Sequence, residues 1–179
     1  MQLPSSNNLA SGKIAQCTDA SAHCHYSCCC QIRPSNPRFT IFESLLLHPG
    51  ELAQTPSPSN RHIEIVGSLD KGELGFCLLS PLERLNCGDS SHYKPLDCRS
   101  YPFFPVIRQG SLVLAIDSRR CPLVSNLSGL TNHYRTTLNT WKALIETNSD
   151  VVNWITAIRA ETHFRIVEER AGVLNYVTD

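Results

Sequence analysis

Little in the composition points to a common function. Methionine occurs once, tryptophan twice, and aromatic residues make up 7% of the 179 residues. Neither sign of charge is in excess, since 16 Lys/Arg balance 16 Asp/Glu. No basic field is therefore available for a phosphate backbone, and nucleic acid is not an expected partner. The longest apolar runs, Leu45 to Leu47 and Leu112 to Ile116, fall far short of the ~20 residues of a membrane helix. A membrane partner is not expected either. The opening MQLPSSNNLASGK has no basic residue before Lys13 and no apolar stretch. It does not read as a secretory signal, and the expected location is the cytoplasm. GxSxG, P-loop and GxGxxG motifs are all missing, so the usual frames for hydrolysis, phosphate binding and dinucleotide binding are excluded. Hydrophobic residues still reach 41%, enough for a packed core and against wholesale disorder.

Cysteine, by contrast, is abundant. There are nine: Cys17, Cys24, Cys28, Cys29, Cys30, Cys77, Cys87, Cys98 and Cys121. The first five crowd into the stretch CTDASAHCHYSCCC, too dense for buried thiols acting as small hydrophobes. An odd count with no secretory signal argues against a disulfide framework. Clustered cysteines in a reducing compartment bind metal or carry redox chemistry. None is spaced as C-x2-C, which disfavours a zinc ribbon or finger. A site drawing on both the early and the late group would staple an irregular segment onto the rest of the chain, because structural metal binding contributes directly to folding. His23 and His25 flank Cys24 and are weaker candidates. No single thiol stands out as a nucleophile with a positioned base.

Around these cysteines the pattern is mixed. Met1 to Lys13 reads as a flexible lead-in. Arg38 to His48 suggests a short helix carrying Phe39, Phe42 and Leu46 on one face, stopped by Pro49-Gly50. A proline- and serine-rich loop follows to Asn60. Strands are expected at His62 to Val66 and at Leu74 to Leu79, the latter bearing Cys77, around a turn at Asp70-Lys71-Gly72. Phe103 to Arg108 and Ser111 to Asp117 flank Gln109-Gly110, a hairpin signal. Leu130, Tyr134, Leu138, Trp141 and Ile145 recur at helical spacing. Val151, Trp154, Ile155 and Ile158 suggest a second helix behind the capping pair Ser149-Asp150. Both tryptophans read as core, His92 and His133 as ordinary polar histidines, and Phe164 to Val177 stays open between helix and strand. The expected fold class is α+β: a small loop-rich cysteine module with a short antiparallel sheet, covered by C-terminal helices from about residue 128. It forms one domain over residues 14–179.

From Gly75 to Pro105 the sequence runs GFCLLSPLERLNCGDSSHYKPLDCRSYPFFP. Its core is Lys94-Pro95-x-x-Cys98-Arg99-x-Tyr101-Pro102-Phe103. With the upstream cysteine doublet and Cys121-Pro122, the stretch from Cys17 to Cys121 resembles the YkgJ-type cysteine-cluster family, a zinc- or iron-chelating CxxCxxCC domain. The six-residue gap between Cys17 and Cys24 is wider than usual there and is more similar to the cysteine module of flagellin lysine-N-methylase. Cys30 has no counterpart in the family pattern. The resemblance implies that Cys17, Cys24, Cys28, Cys29, Cys77, Cys87, Cys98 and Cys121 are ligands, twice the four thiolates of a zinc site or an iron–sulfur cluster. Adjacent Cys28 and Cys29 would serve two centres on an extended backbone and one centre on a turn. Arg99 would offset thiolate charge and Tyr101 would pack around the site. The expected function is chelation of zinc or iron, a [4Fe–4S] cluster included. Two alternatives stand beside it. One is an iron–sulfur-dependent redox or protein lysine-methylating enzyme, or a fragment of one. The other is a metal-stabilised interaction module whose Trp141 and Trp154 helices meet a protein partner of unknown identity.

The run of three cysteines can be resolved by experiment. Successive side chains diverge, so all three do not meet one tetrahedral centre. The register counted from Cys24 assigns the doublet to Cys28 and Cys29. Cys30→Ser should keep its metal, while Cys28→Ser and Cys29→Ser should each lose it, as read by metal analysis of the three variants side by side. An emptied Cys30→Ser with an intact Cys28→Ser would shift the doublet by one residue.

Overall fold

A computed structural model of the chain describes residues 45–55, 61–78, 93–117, 127–158 and 164–177. Apolar and polar residues alternate after His62, and that pattern makes a strand with one face to cover. It forms β2 (Ile63–Leu69), which turns back through Asp70 and Lys71 into β3 (Gly72–Cys77). Both turn residues have positive φ, 45° and 67°, the hand of turn that follows natural strand twist. The register runs from Leu69 opposite Gly72 to Ile63 opposite Cys77, with a shift between Ile65 and Gly67. A third strand, β1 (Leu45–Leu47), pairs antiparallel with β3 on its other side, giving the order β1-β3-β2.

That strand corrects the expectation of a helix through His48. The three leucines gain ladder hydrogen bonds from β3, and Leu47 becomes fully buried against Ile63. A short apolar run does not distinguish helix from strand by periodicity alone; here the free edge of β3 decides. The remainder of that expected helix, with Phe39 and Phe42, lies outside the described residues, as does the lead-in to Lys13.

After the short helix α1 (Leu96–Ser100) come β4 (Phe103–Arg108) and β5 (Ser111–Asp117), with the expected ends and the expected Gln109-Gly110 turn. They begin a second antiparallel sheet of order β4-β5-β6-β7, completed by β6 (Phe164–Arg170) and β7 (Val173–Tyr176). The open tail is therefore a hairpin around Ala171-Gly172, with Val167 and Leu174 turned into the core. The expectation of one short sheet covered by terminal helices is corrected on both counts. The α+β class holds, but the described residues form two sheets, and the helices precede the last hairpin.

Those helices are α2 (Thr131–Thr147), entered through a 3-10 turn at Leu127–Leu130, and α3 (Ser149–Ile158). Tyr134, Thr137, Trp141 and Leu144 form the buried face of α2, while Val151, Trp154 and Ile155 form that of α3. One residue joins the two helices. The Asn148 amide closes α2 on the Leu144 carbonyl, and Asn148 Oδ1 accepts the Asp150 amide at 3.1 Å. The cap of α3 is thus Asn148, one residue ahead of the expected Ser149-Asp150 pair; Asp150 instead meets Lys71 at 2.8 Å. Trp141 and Trp154 stack with centroids 6.1 Å apart and are each 1% exposed. They are core residues, as their spacing predicts. Among the described residues no helix is long and apolar enough to cross a membrane.

β3 packs closely against α3 and β1 at Gly72. A β-carbon there would strike the Trp154 ring and come 2.7 Å from the Leu47 carbonyl oxygen. Neither a ring stacked on a second indole nor a strand backbone yields easily, and overpacking of this kind costs about 1–3 kcal/mol. Gly72→Ala should lower the urea midpoint accordingly. An unchanged midpoint would mean that this contact is loose.

Candidate metal centre

The segment carrying the cysteine motif is local and weak by itself. A five-residue helix is far below the ~12–15 residues at which an isolated helix becomes marginally stable. Its position is set from outside. Glu51, 3% exposed, sits on the turn after β1 and spreads its carboxylate over three donors. Oε1 accepts the Leu96 amide at 2.7 Å and the Tyr93 hydroxyl at 2.6 Å, and Oε2 accepts the His48 amide at 3.0 Å. His48 Nε2 lies 3.7 Å from the same Oε2. Asp97 Oδ2 accepts the Leu46 amide of β1 at 3.1 Å. At the far end, Trp141 Nε1 donates to the fully buried Ser100 hydroxyl at 2.9 Å.

His133 finishes the exit of α1. Its Nε2 faces the carbonyls of Ser100 and Tyr101 at 3.2 and 3.0 Å, and its ring lies against Phe103. It is not the ordinary polar histidine its context suggests but a bridge to the cysteine-bearing segment.

Cys98 lies on this clamped helix, half-buried against Leu47 and Ile63, beside Leu52 and Tyr93. Cys77 occupies the ladder position directly opposite Ile63. Cys98 thus packs on the cluster, and the Cys77 backbone pairs with the strand position of one of its members. Arg99 holds its guanidinium 5.6 Å from the Tyr93 ring centroid, with Nη2 3.5 Å from the Tyr93 hydroxyl. Tyr101 ends α1 and offers its carbonyl to His133.

No family model, curated protein or solved structure matches the chain. The site is therefore argued from its own residues.

Of the eight expected ligands, only Cys77 and Cys98 fall within the described residues. Cys17, Cys24, Cys28, Cys29, Cys87 and Cys121 lie outside them, together with Cys30, His23, His25 and His92. Among the described residues no group of three or more His, Cys, Asp or Glu side chains is arranged to hold a metal ion. The described frame contributes two cysteine positions, and four thiolates are needed for a closed structural site. The segment with Cys87 joins Leu78, hydrogen-bonded at 2.7 Å to the His62 carbonyl, to Tyr93. The segment with Cys121 leaves Asp117, beyond Ile116 and its partner Phe103.

Sequence reasoning missed Glu51, His48 and Tyr93 as parts of this region. Glu51 was an acidic residue in a proline-rich loop, and its key partner is 45 positions away. No local pattern marks such a pairing.

The electrostatics follow from enclosure. Burial pushes the Asp97 carboxyl up to about 7, opposed by the Leu46 amide and reinforced by Glu51. Burial and the neighbouring Glu51 carboxylate hold the Tyr93 phenol well above its ordinary range, hence protonated and a donor. Burial lowers the His133 imidazole, against the pull of the two carbonyls it faces.

The last shift predicts a pH response. Folded His133 takes a proton less readily than unfolded His133, whose ordinary value is 6.5. Its contribution is complete above that value and is lost as pH falls below it. The stability gap between the protein and His133→Gln, measured by urea unfolding, should be constant above about pH 7 and narrow in acid. A gap that widens in acid would mean that His133 is buried as a cation.

Proposed function

We propose that the protein chelates zinc or an iron–sulfur cluster through its cysteines, with Cys98 and Cys77 as the ligands supplied by the folded frame. The observation that carries this reading is the seating of Cys98 against the Leu47–Ile63 cluster, with Cys77 at the ladder position opposite Ile63. Two further facts support it. The motif helix is anchored at both ends by buried hydrogen bonds, an outlay of polar contacts suited to holding one side chain in place. The other seven cysteines lie on segments that lead into or out of this frame. The family resemblance of Lys94 to Phe103 and its cysteine context point the same way.

The remaining thiolates would come from the early group, Cys17, Cys24, Cys28 and Cys29, and from Cys87 and Cys121. Four thiolates would bring several negative charges to one place. Arg99, one residue from Cys98, supplies the nearest cation by sequence. A bound centre of this kind would tie the early and late cysteine groups together, contributing folding energy directly. Zinc would give a redox-silent staple, and a cluster would add one-electron chemistry.

Cys98→Ser tests the assignment. Metal content after anaerobic purification and folded yield should fall together, because the thiolate would serve both. Retention of full metal content with an unchanged melting temperature would remove Cys98 from the site. Less than about a tenth of an equivalent each of zinc and iron in the unmutated protein would end the chelation reading itself.

A further inference from the structure

We propose that the second sheet carries a binding site for a short peptide, at the fork where its two hairpins part. The proposal rests on residues of that sheet and of α2, and it is independent of the chelation reading.

β5 pairs with β6 over only part of its length. The ladder runs from Asp117 opposite Phe164 to Leu114 opposite Val167 and ends there. Beyond that rung β5 still reaches to Ser111, and β6 continues to Arg170. Each of these arms keeps its own hairpin partner, Ser111 pairing with Arg108 and Arg170 with Val173. Residues that flank a two-residue turn point their main-chain groups at each other, and the direction alternates along the strand from there. Leu112 and Glu169 therefore aim their amides and carbonyls away from their hairpins, toward the place of the next rung. No such rung is formed among the described residues.

A half-open cavity of about 280 Å³ lies at this fork, with Leu112 and Val113 on one side and Val167 and Glu168 on the other. Ligand pockets run from about 300 to 1,000 Å³, so this one suits two or three residues of a chain rather than a bulky cofactor. Tyr134, 6% exposed, also lines it and donates its hydroxyl to the Val167 carbonyl at 3.3 Å. Burial holds that phenol above its ordinary range, with Glu168 and Glu169 adding to the shift, so it stays a donor. The next residue of α2, Arg135, holds the Glu169 carboxylate through Nε at 2.8 Å. Two neighbouring side chains thus tie β6 to α2 at the point where it leaves β5. Main-chain groups aimed into a gap, apolar side chains beside them and a buried hydroxyl at the last rung match what an extended peptide offers. Its amides would pair with the strands, and its side chains would rest on the apolar wall.

The probe is N-acetyl-alanyl-alanine methylamide, titrated into isotope-labelled full-length protein and followed by NMR. At millimolar concentration it should shift the Leu112, Val113 and Glu169 amide signals to saturation and slow hydrogen exchange at Leu112 and Glu169. An ester analogue, with oxygen in place of the central N–H, should bind about tenfold more weakly, the worth of one hydrogen bond. Val113→Phe, which fills part of the cavity, should abolish the shifts while leaving the signals of the first sheet in place. The ester comparison uses the unmutated protein and stands whether or not that variant folds. Ester binding as tight as amide binding, saturation confined to signals elsewhere, or no saturable shift would each overturn the proposal.

Discussion

A carboxylate that is 3% exposed has lost its water and must be solvated by the protein. Glu51 solves this with three donors from separate points of the chain: the His48 amide, the Leu96 amide and the Tyr93 hydroxyl. Removing any one leaves a buried acceptor short, at a cost of about 1–3 kcal/mol. The three segments are therefore held together as a set, and most of what lies near the cysteine motif depends on that set. The first sheet is joined to α1, α1 is joined through Ser100 to Trp141, and Trp141 stacks on Trp154, which closes over Gly72 of the first sheet. The contacts form a ring, with polar bonds on one side and indoles on the other.

How far this was legible in the sequence differs by element. The β4–β5 hairpin was readable to the residue, because Gln109-Gly110 is a strong turn signal between apolar runs. The two helices were readable because the spacing of Tyr134, Trp141, Val151 and Trp154 admits only one buried face. β1 was not readable. Three leucines in a row carry no period, and their conformation was decided by a partner strand almost thirty positions further on. The β6–β7 hairpin was obscured by charge. Arg165, Glu168, Glu169 and Arg170 interrupt its alternation, although they stay on the surface, where Arg165 covers Tyr176 and Glu169 pairs with Arg135.

The site divides in the same way. Cys98, Arg99 and Tyr101 were legible as a motif, since cysteine is rare and its spacing conspicuous. The groups that hold the motif were not. Glu51 and His48 act through backbone amides and a hydroxyl, which any acidic residue in a turn could in principle meet. His133 looked like a polar residue on an amphipathic helix, and only the packing of α2 against the end of α1 turns it toward two carbonyls. Long-range anchors of this kind come from topology and leave no local trace.

The central claim is that cysteine thiolates from this frame and from the segments around it hold one metal centre. X-ray absorption at the zinc and iron edges of anaerobically purified protein addresses it most directly. The account predicts a first shell of sulfur at about 2.3 Å, with four sulfur neighbours per metal. A first shell made only of nitrogen and oxygen at about 2.0–2.2 Å would contradict it.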